Sequence, residues 1–171
     1  MDGIRKVRML IREILEEMFD NPVMPKDVEI LTGSNYVVYR FKTNKKEYAV
    51  SFTKFEKILD IMMPKDEIDI EVIKNSKSIY FLKWGLFDKS RPSDPYDEVD
   101  TNAGEAIYVF DSVFAIISDF IKKHDPEIIF YWVRGKRENI YNQITKKIMR
   151  DYKFIPGQPN TYLIKNTSYE K

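Results

Sequence analysis

Cysteine is absent from the 171 residues, and histidine occurs once, at His124. Without thiols there are no disulfides, no thiolate metal sites and no cysteine nucleophile, and the composition fits a reducing compartment. A single imidazole excludes a histidine-rich metal centre. A Ser-His-Asp triad would have to recruit His124 from a polar helix end. Neither sign of charge dominates: 28 Lys and Arg stand against 27 Asp and Glu, a formal charge of +1. Net charge therefore gives non-specific nucleic-acid binding no support. No apolar run approaches the roughly 18 residues that a membrane-spanning helix needs. Met1 to Arg12 lack the uninterrupted apolar core of a signal peptide. Two phosphate and metal motifs are missing as well. Gly135-Lys136 has neither the upstream glycine nor the following hydroxyl of a P-loop, and the loop from Asp88 to Asp100 lacks the spacing of a calcium loop. These absences leave the expectation of a soluble cytoplasmic domain with no metal.

What is present is a chain long enough for one domain that buries about two thirds of its unfolded surface. Its centre is the stretch Thr101-Asn102-Ala103-Gly104-Glu105-Ala106 and the helix that it opens. Val109, Phe110, Val113, Phe114, Ile117, Phe120 and Ile121 recur at helical period until Asp125-Pro126 ends the pattern. The continuous apolar run Ile128 to Val133 follows, of strand length and with the character of a strand covered on both faces.

Around this unit the chain divides readily. Ile4, Val7, Leu10, Ile11, Ile14, Leu15, Met18 and Phe19 mark an amphipathic N-terminal helix over residues 1–21, ended by Asn21-Pro22. Val28 to Leu31, Tyr36 to Phe41 and Tyr48 to Phe52 read as strands joined by the turns at Gly33 and Asn44. Ile58 to Met63 and Ile68 to Ile73 are two shorter candidates. In the second, Ile68, Ile70 and Val72 alternate with Asp69 and Glu71, which predicts a half-exposed strand. Ser78 to Phe87 is the longest strand before the central helix. After Val133 the pattern predicts a helix from about Glu138 to Asp151, closed by Tyr152-Lys153-Phe154. A last strand spans Thr161 to Ile164, and residues 166–171 read as a fraying tail. The fold class is α/β (α+β): one domain over residues 1–171, a mixed and mostly antiparallel sheet flanked by helices.

Two places carry candidate chemistry. At the start of the central helix Asn102 is an N-cap candidate, with Glu105 three residues on as in a capping box. The N–H groups of such a helix end suit a phosphate, and Gly104 lets a ligand approach the backbone. The plain alternative is a well-capped structural helix. The second place is basic: Arg134, Lys136 and Arg137 after the strand, then Lys146, Lys147 and Arg150 on the following helix. That face is a candidate for phosphate or nucleic acid, with Tyr131 or Trp132 available for base stacking. The alternative there is a solvated positive face.

The order of elements resembles the GNAT (Gcn5-related N-acetyltransferase) fold. That family's pyrophosphate loop reads Q/R-x-x-G-x-G/A between its long strand and central helix. Here Gly104 and Ala106 match, and Thr101 stands in the place of the leading Gln or Arg. The family's later helix carries a Leu-Tyr pair whose tyrosine protonates the departing thiolate, and Ile140-Tyr141 is the counterpart. The Gly-Phe that usually follows is missing. The chain also resembles small phage-encoded proteins in which a Gly-Glu-Ala helix is followed by Arg and Ile-Tyr.

The resemblance implies acetyl-CoA as cofactor, held at Thr101, Asn102, Gly104 and Ala106; whether two central strands splay apart in front of Gly104 is left to the structure. It implies Tyr141 as acid and a carboxylate as base, Glu98 foremost beside Asp100 and Glu105. Carboxylates at Asp97, Glu98, Asp100 and Glu105 crowd the place of the pyrophosphate. The leading expectation is therefore a GNAT-like, phage-type accessory protein that binds a protein partner, in the host cytoplasm if phage-encoded, with acetyl-CoA chemistry weak or lost. The alternatives are an active N-acetyltransferase and a nucleic-acid-associated accessory protein.

Overall fold

A computed structural model describes residues 22–44, 46–56, 64–87, 89, 103–132, 142, 150–155 and 160–171. The expected N-terminal helix and the strand candidate Ile58 to Met63 lie outside these residues. So does nearly all of the helix expected from Glu138.

Three strands form a meander: β1 (Glu29–Thr32), β2 (Tyr36–Lys42) and β3 (Glu47–Phe55). Their register runs from Glu29 opposite Arg40 and from Tyr36 opposite Thr53. Gly33 makes the first turn, where its N–H donates to the Tyr36 carbonyl at 2.9 Å. A Cβ at Gly33 would lie 2.2 Å from the Tyr36 ring, so only glycine fits the turn as packed. Alternation along the strands puts Val37, Tyr39, Phe41, Tyr48, Val50 and Phe52 in one buried cluster. On the opposite face Arg40 ties the edge strand inward, pairing with Glu29 at 3.1 Å and with Glu47.

Helix α1 (Glu67–Asn75) follows, where the alternation of Ile68, Ile70 and Val72 predicts a strand. The expectation fails because Asp66 caps the segment: its side chain accepts from the N–H groups of Ile68 at 2.9 Å and Asp69 at 3.3 Å. Helical spacing then turns Asp69 and Ile73 inward and leaves Ile68 exposed.

β4 (Ile79–Leu86) pairs antiparallel with β3 from Phe55–Ile79 to Tyr48–Leu86. The central helix α2 (Ala103–His124) crosses over and delivers the chain to β5 (Ile128–Trp132), which lies parallel to β4. The apolar stripe read from the sequence is the buried face of α2. Val109, Val113, Phe114, Ile117 and Phe120 are all at most 4% exposed. Asp125 adopts a left-handed φ of 44° ahead of Pro126, and its N–H still reaches the Ile121 carbonyl at 2.9 Å. The helix ends there because the residue before a proline is pushed out of the α region. β5 is buried on both faces, as its composition predicts, from Ile128 through Tyr131.

The sheet closes with β7 (Asn160–Lys165) beside β5 and β6 (Tyr152–Ile155) outside it. Tyr152 to Phe154 are therefore strand, and Asp151 lies in the turn before it rather than in a helix. Their alternation fits the sheet: Tyr152 and Phe154 join the α2 side, while Ile155 packs on the other. The order β1-β2-β3-β4-β5-β7-β6 gives one seven-stranded sheet, antiparallel except at β4–β5. Two helices among the described residues pack on it. The larger cluster lies under α2, and a smaller one, built on Ile73, Ile79, Ile128, Phe130, Tyr162 and Ile164, lies under α1.

The C-terminal residues do not fray. Asn166–Glu170 form a 3₁₀ turn, and the Tyr169 hydroxyl donates to Asp69 Oδ1 at 2.5 Å. Lys153 Nζ reaches the same oxygen at 2.8 Å, and Lys171 Nζ meets Glu127 at 2.8 Å. A charged side chain on the tail and a phenol thus find buried or half-buried carboxylates, which outweighs the tail's polar composition. No helix among the described residues is long and apolar enough to cross a membrane.

Candidate functional site

Ring contacts fix the direction of α2 over β4. Tyr80, near the start of β4, meets Phe120 edge-on at 5.0 Å and His124 at 6.4 Å. Further along, Trp84 meets Phe110 edge-on at 5.7 Å. Helix and strand therefore run antiparallel, and the first turn of α2 lies at the C-terminal end of β4. Gly104 and Ala106 are in that turn, in helical backbone.

β4 and β5 share only the pairs Ile79–Ile128, Tyr80–Ile129 and Phe81–Phe130. Both strands continue past this point. Leu82 to Leu86 stay paired with β3, and Tyr131 and Trp132 stay paired with β7. Among the described residues the pairing of the two parallel strands thus ends at Phe81 and Phe130, at the end of the sheet where α2 begins. The helix end adds N–H groups without intrahelical partners and a partial positive charge.

Glu105 is the acidic residue of this first turn. Its charge favours the helix dipole and disfavours a second anion. Beneath the turn lies Tyr48, opposite Leu86 on β3 and fully buried, its ring stacked on Phe41 at 5.6 Å. Among the described residues its hydroxyl has no hydrogen-bond partner. Burial, and then the Glu105 carboxylate, hold its pKa above the usual phenol value. Nothing in the sequence separates Tyr48 from Tyr39, which alternates in the same way but finds Asp119 Oδ2 at 3.1 Å. At this end of the molecule Ile107, Tyr108 and Trp132 are 39%, 41% and 47% exposed.

Several residues singled out by sequence lie outside the described residues: Glu98, Thr101, Asn102, Tyr141, Arg134, Lys136, Arg137, Lys146 and Lys147. Arg150 is exposed in the turn before β6. Tyr131 is not free for base stacking. It is 4% exposed, packed under α2, and its hydroxyl lies 3.4 Å from Asn142 Oδ1. Trp132 points the other way, as strand alternation requires.

The opposite end of the sheet holds an open depression of about 500 Å³ lined by Lys77, His124, Asp125, Glu127, Lys165, Ser168 and Lys171, among others. Its two acids are already matched, Asp125 by Lys165 and Glu127 by Lys171. Glu127 also accepts from the N–H groups of Lys77 at 2.6 Å and Ser78 at 3.2 Å. These contacts join β4, β5 and the C-terminus, a structural role. Among the described residues no cluster of His, Asp and Glu has the makings of a metal site.

Compared with known proteins, the chain matches no family model, no curated protein and no solved structure.

Proposed function

We propose that the chain is a GNAT-like protein that binds acetyl-CoA in the opening between β4 and β5 and transfers the acetyl group to an amine. The observation that carries this reading is the end of β4–β5 pairing at Phe81 and Phe130, beside the first turn of α2. An extended ligand with amide groups suits that opening. It lies along the strand ends, while its pyrophosphate takes up the N–H groups of the helix start. Gly104 and Ala106 supply the small residues that such an approach needs.

In the transfer, the amine nitrogen bonds to the thioester carbon and the C–S bond breaks. Glu98 takes the proton lost by the amine, and Tyr141 returns one to the departing thiolate. Thr101 and Asn102 complete the cofactor-binding stretch. The test is thermal unfolding with acetyl-CoA against an equal concentration of ATP, which carries phosphates but no pantetheine. A ligand at a hundredfold excess over its Kd stabilises by about 2.7 kcal/mol. Stabilisation by acetyl-CoA alone supports the reading, and equal or absent shifts overturn it.

A second reading is favoured by the exposed apolar side chains at the same end. Ile107, Tyr108 and Trp132 fit a GNAT-like, phage-type accessory protein that binds a protein partner. Glu105 in the first turn, which opposes an anionic cofactor, points the same way. Under that reading acetyl-CoA leaves the unfolding temperature unchanged. Replacing Tyr108 and Trp132 by serine then abolishes partner capture without unfolding the protein.

A further inference from the structure

We infer that α1 and the 3₁₀ turn Asn166–Glu170 form a clasp that opens as one unit while the sheet stays folded, with the Asp69 carboxylate as its catch. Helix α1 has little of its own to hold it. Its nine residues fall short of the roughly 12–15 that an isolated helix needs. The alternation of Ile68, Ile70 and Val72 suits an extended chain as well. Only two of its side chains are buried, Asp69 and Ile73. By contrast, α2 buries Val109, Val113, Phe114, Ile116, Ile117 and Phe120.

The anchor of α1 is thus one isoleucine and one charge, and a buried charge is tolerated only with partners. Those partners come from far along the chain. The Tyr169 hydroxyl donates to Asp69 Oδ1 at 2.5 Å, and Lys153 Nζ donates to the same oxygen at 2.8 Å while lying 5.0 Å over the Tyr169 ring. Lys153 belongs to β6 and is 47% exposed, so water receives its ammonium when Asp69 leaves. Tyr169 has no such exchange. Its ring packs on the smaller cluster, to which α1 contributes Ile73 and Val72. Helix and turn therefore hold each other in place, which is the condition for a local unit that opens cooperatively. Opening loosens the smaller cluster and leaves the one under α2 closed.

The experiment is native-state amide exchange on the full chain, followed by NMR at increasing urea below the unfolding transition. The amides of α1 and of Asn166–Glu170 are expected to share one opening equilibrium, at least about tenfold more open than that of β4 and β5. Tyr169→Phe removes the hydroxyl and keeps the ring. It should speed exchange in α1 by about tenfold or more and leave β4 and β5 unchanged. Adding Asp69→Leu to Tyr169→Phe should slow α1 again, because no buried charge then waits for a partner. A ring that acted by packing alone would give no such rescue. The inference falls if α1 in the parent protein exchanges at the rate of β4 and β5, if Tyr169→Phe leaves α1 unchanged, or if the double variant stays fast. The pattern in the parent protein needs no variant to fold, so it decides by itself whether the clasp opens as a unit.

Discussion

Replacing Phe120 by alanine should bring the protein close to its unfolding threshold. The ring is fully buried, lies face to face with Phe52 at 3.6 Å and 2°, and takes Tyr80 on its edge at 5.0 Å. It is the contact that seats α2 between β3 and β4. Burying a phenylalanine side chain is worth roughly 1.5–3 kcal/mol in transfer alone. The neighbours are strands paired on both sides and cannot collapse into the space. The cavity term is therefore added, for a total of about 3–5 kcal/mol. Against a domain stability of roughly 5–15 kcal/mol, that loss is large.

In thermal unfolding it corresponds to a fall of about 6–20 °C for a chain of this size. Phe120→Leu keeps most of the volume and should cost less than about 1.5 kcal/mol. Phe52→Ala should cost nearly as much as Phe120→Ala. The double variant should then cost less than the sum by about 0.5–1 kcal/mol, because the second truncation removes a contact already lost. The near-parallel, face-on geometry opposes the ring quadrupoles, so no large stacking bonus is expected beyond this. Denaturant unfolding followed by circular dichroism reads all four values. A loss below about 1 kcal/mol for Phe120→Ala, with unchanged cooperativity, would refute the placement of α2.

The Asp69 cluster should respond asymmetrically. Lys153→Met leaves a carboxylate that is 4% exposed with the Tyr169 hydroxyl as its remaining described partner and should cost about 3 kcal/mol. Asp69→Asn should cost about 1–2 kcal/mol, because Lys153 is 47% exposed and turns to water. The reverse order in urea melts would contradict this assignment of burial. Glu127 predicts a pH dependence. Burial acts upward on its carboxyl, but hydrogen bonds from the Lys171 ammonium and from the N–H groups of Lys77 and Ser78 outweigh it and lower the pKa. A lowered folded-state pKa stabilises the fold above the unfolded value of about 4.3, and the gain disappears as pH falls through the folded value. Glu127→Gln should therefore be less stable than the parent by about 1–2 kcal/mol near neutrality. The two should converge as pH drops below about 4, and a gap that stays constant into acid would count against the hydrogen-bonded carboxylate.

Residues that obey one period were legible. Tyr36 to Phe41 and Tyr48 to Phe52 alternate, and α2 repeats at helical spacing until Asp125-Pro126, so their elements follow from side-chain direction alone. α1 was not legible, because nine residues hold too few turns to outweigh the alternation of Ile68, Ile70 and Val72. What decides it is the cap at Asp66 and the inward turn of Asp69, a charge at a position where an apolar residue is expected. The fate of Asp69 depends on Lys153 and Tyr169, which are distant in sequence, and the order of the C-terminal tail depends on the same contact. Of the candidate site, Gly104 and Ala106 could be placed at a helix start from their neighbours. The point where β4–β5 pairing ends could not. It depends on where two strands stop sharing a ladder, and Leu82 and Tyr131 continue their strands with no change in composition.

On the proposed function, acetyl-CoA binds where β4–β5 pairing ends, beside the first turn of α2. Isothermal titration of acetyl-CoA into the full chain tests it most directly. The expected result is saturable one-to-one binding with Kd below about 1 mM, near or tighter than −4 kcal/mol, and weakened by a bulky residue at Gly104. Titration to millimolar acetyl-CoA without a saturable heat, on protein that unfolds cooperatively, would contradict it.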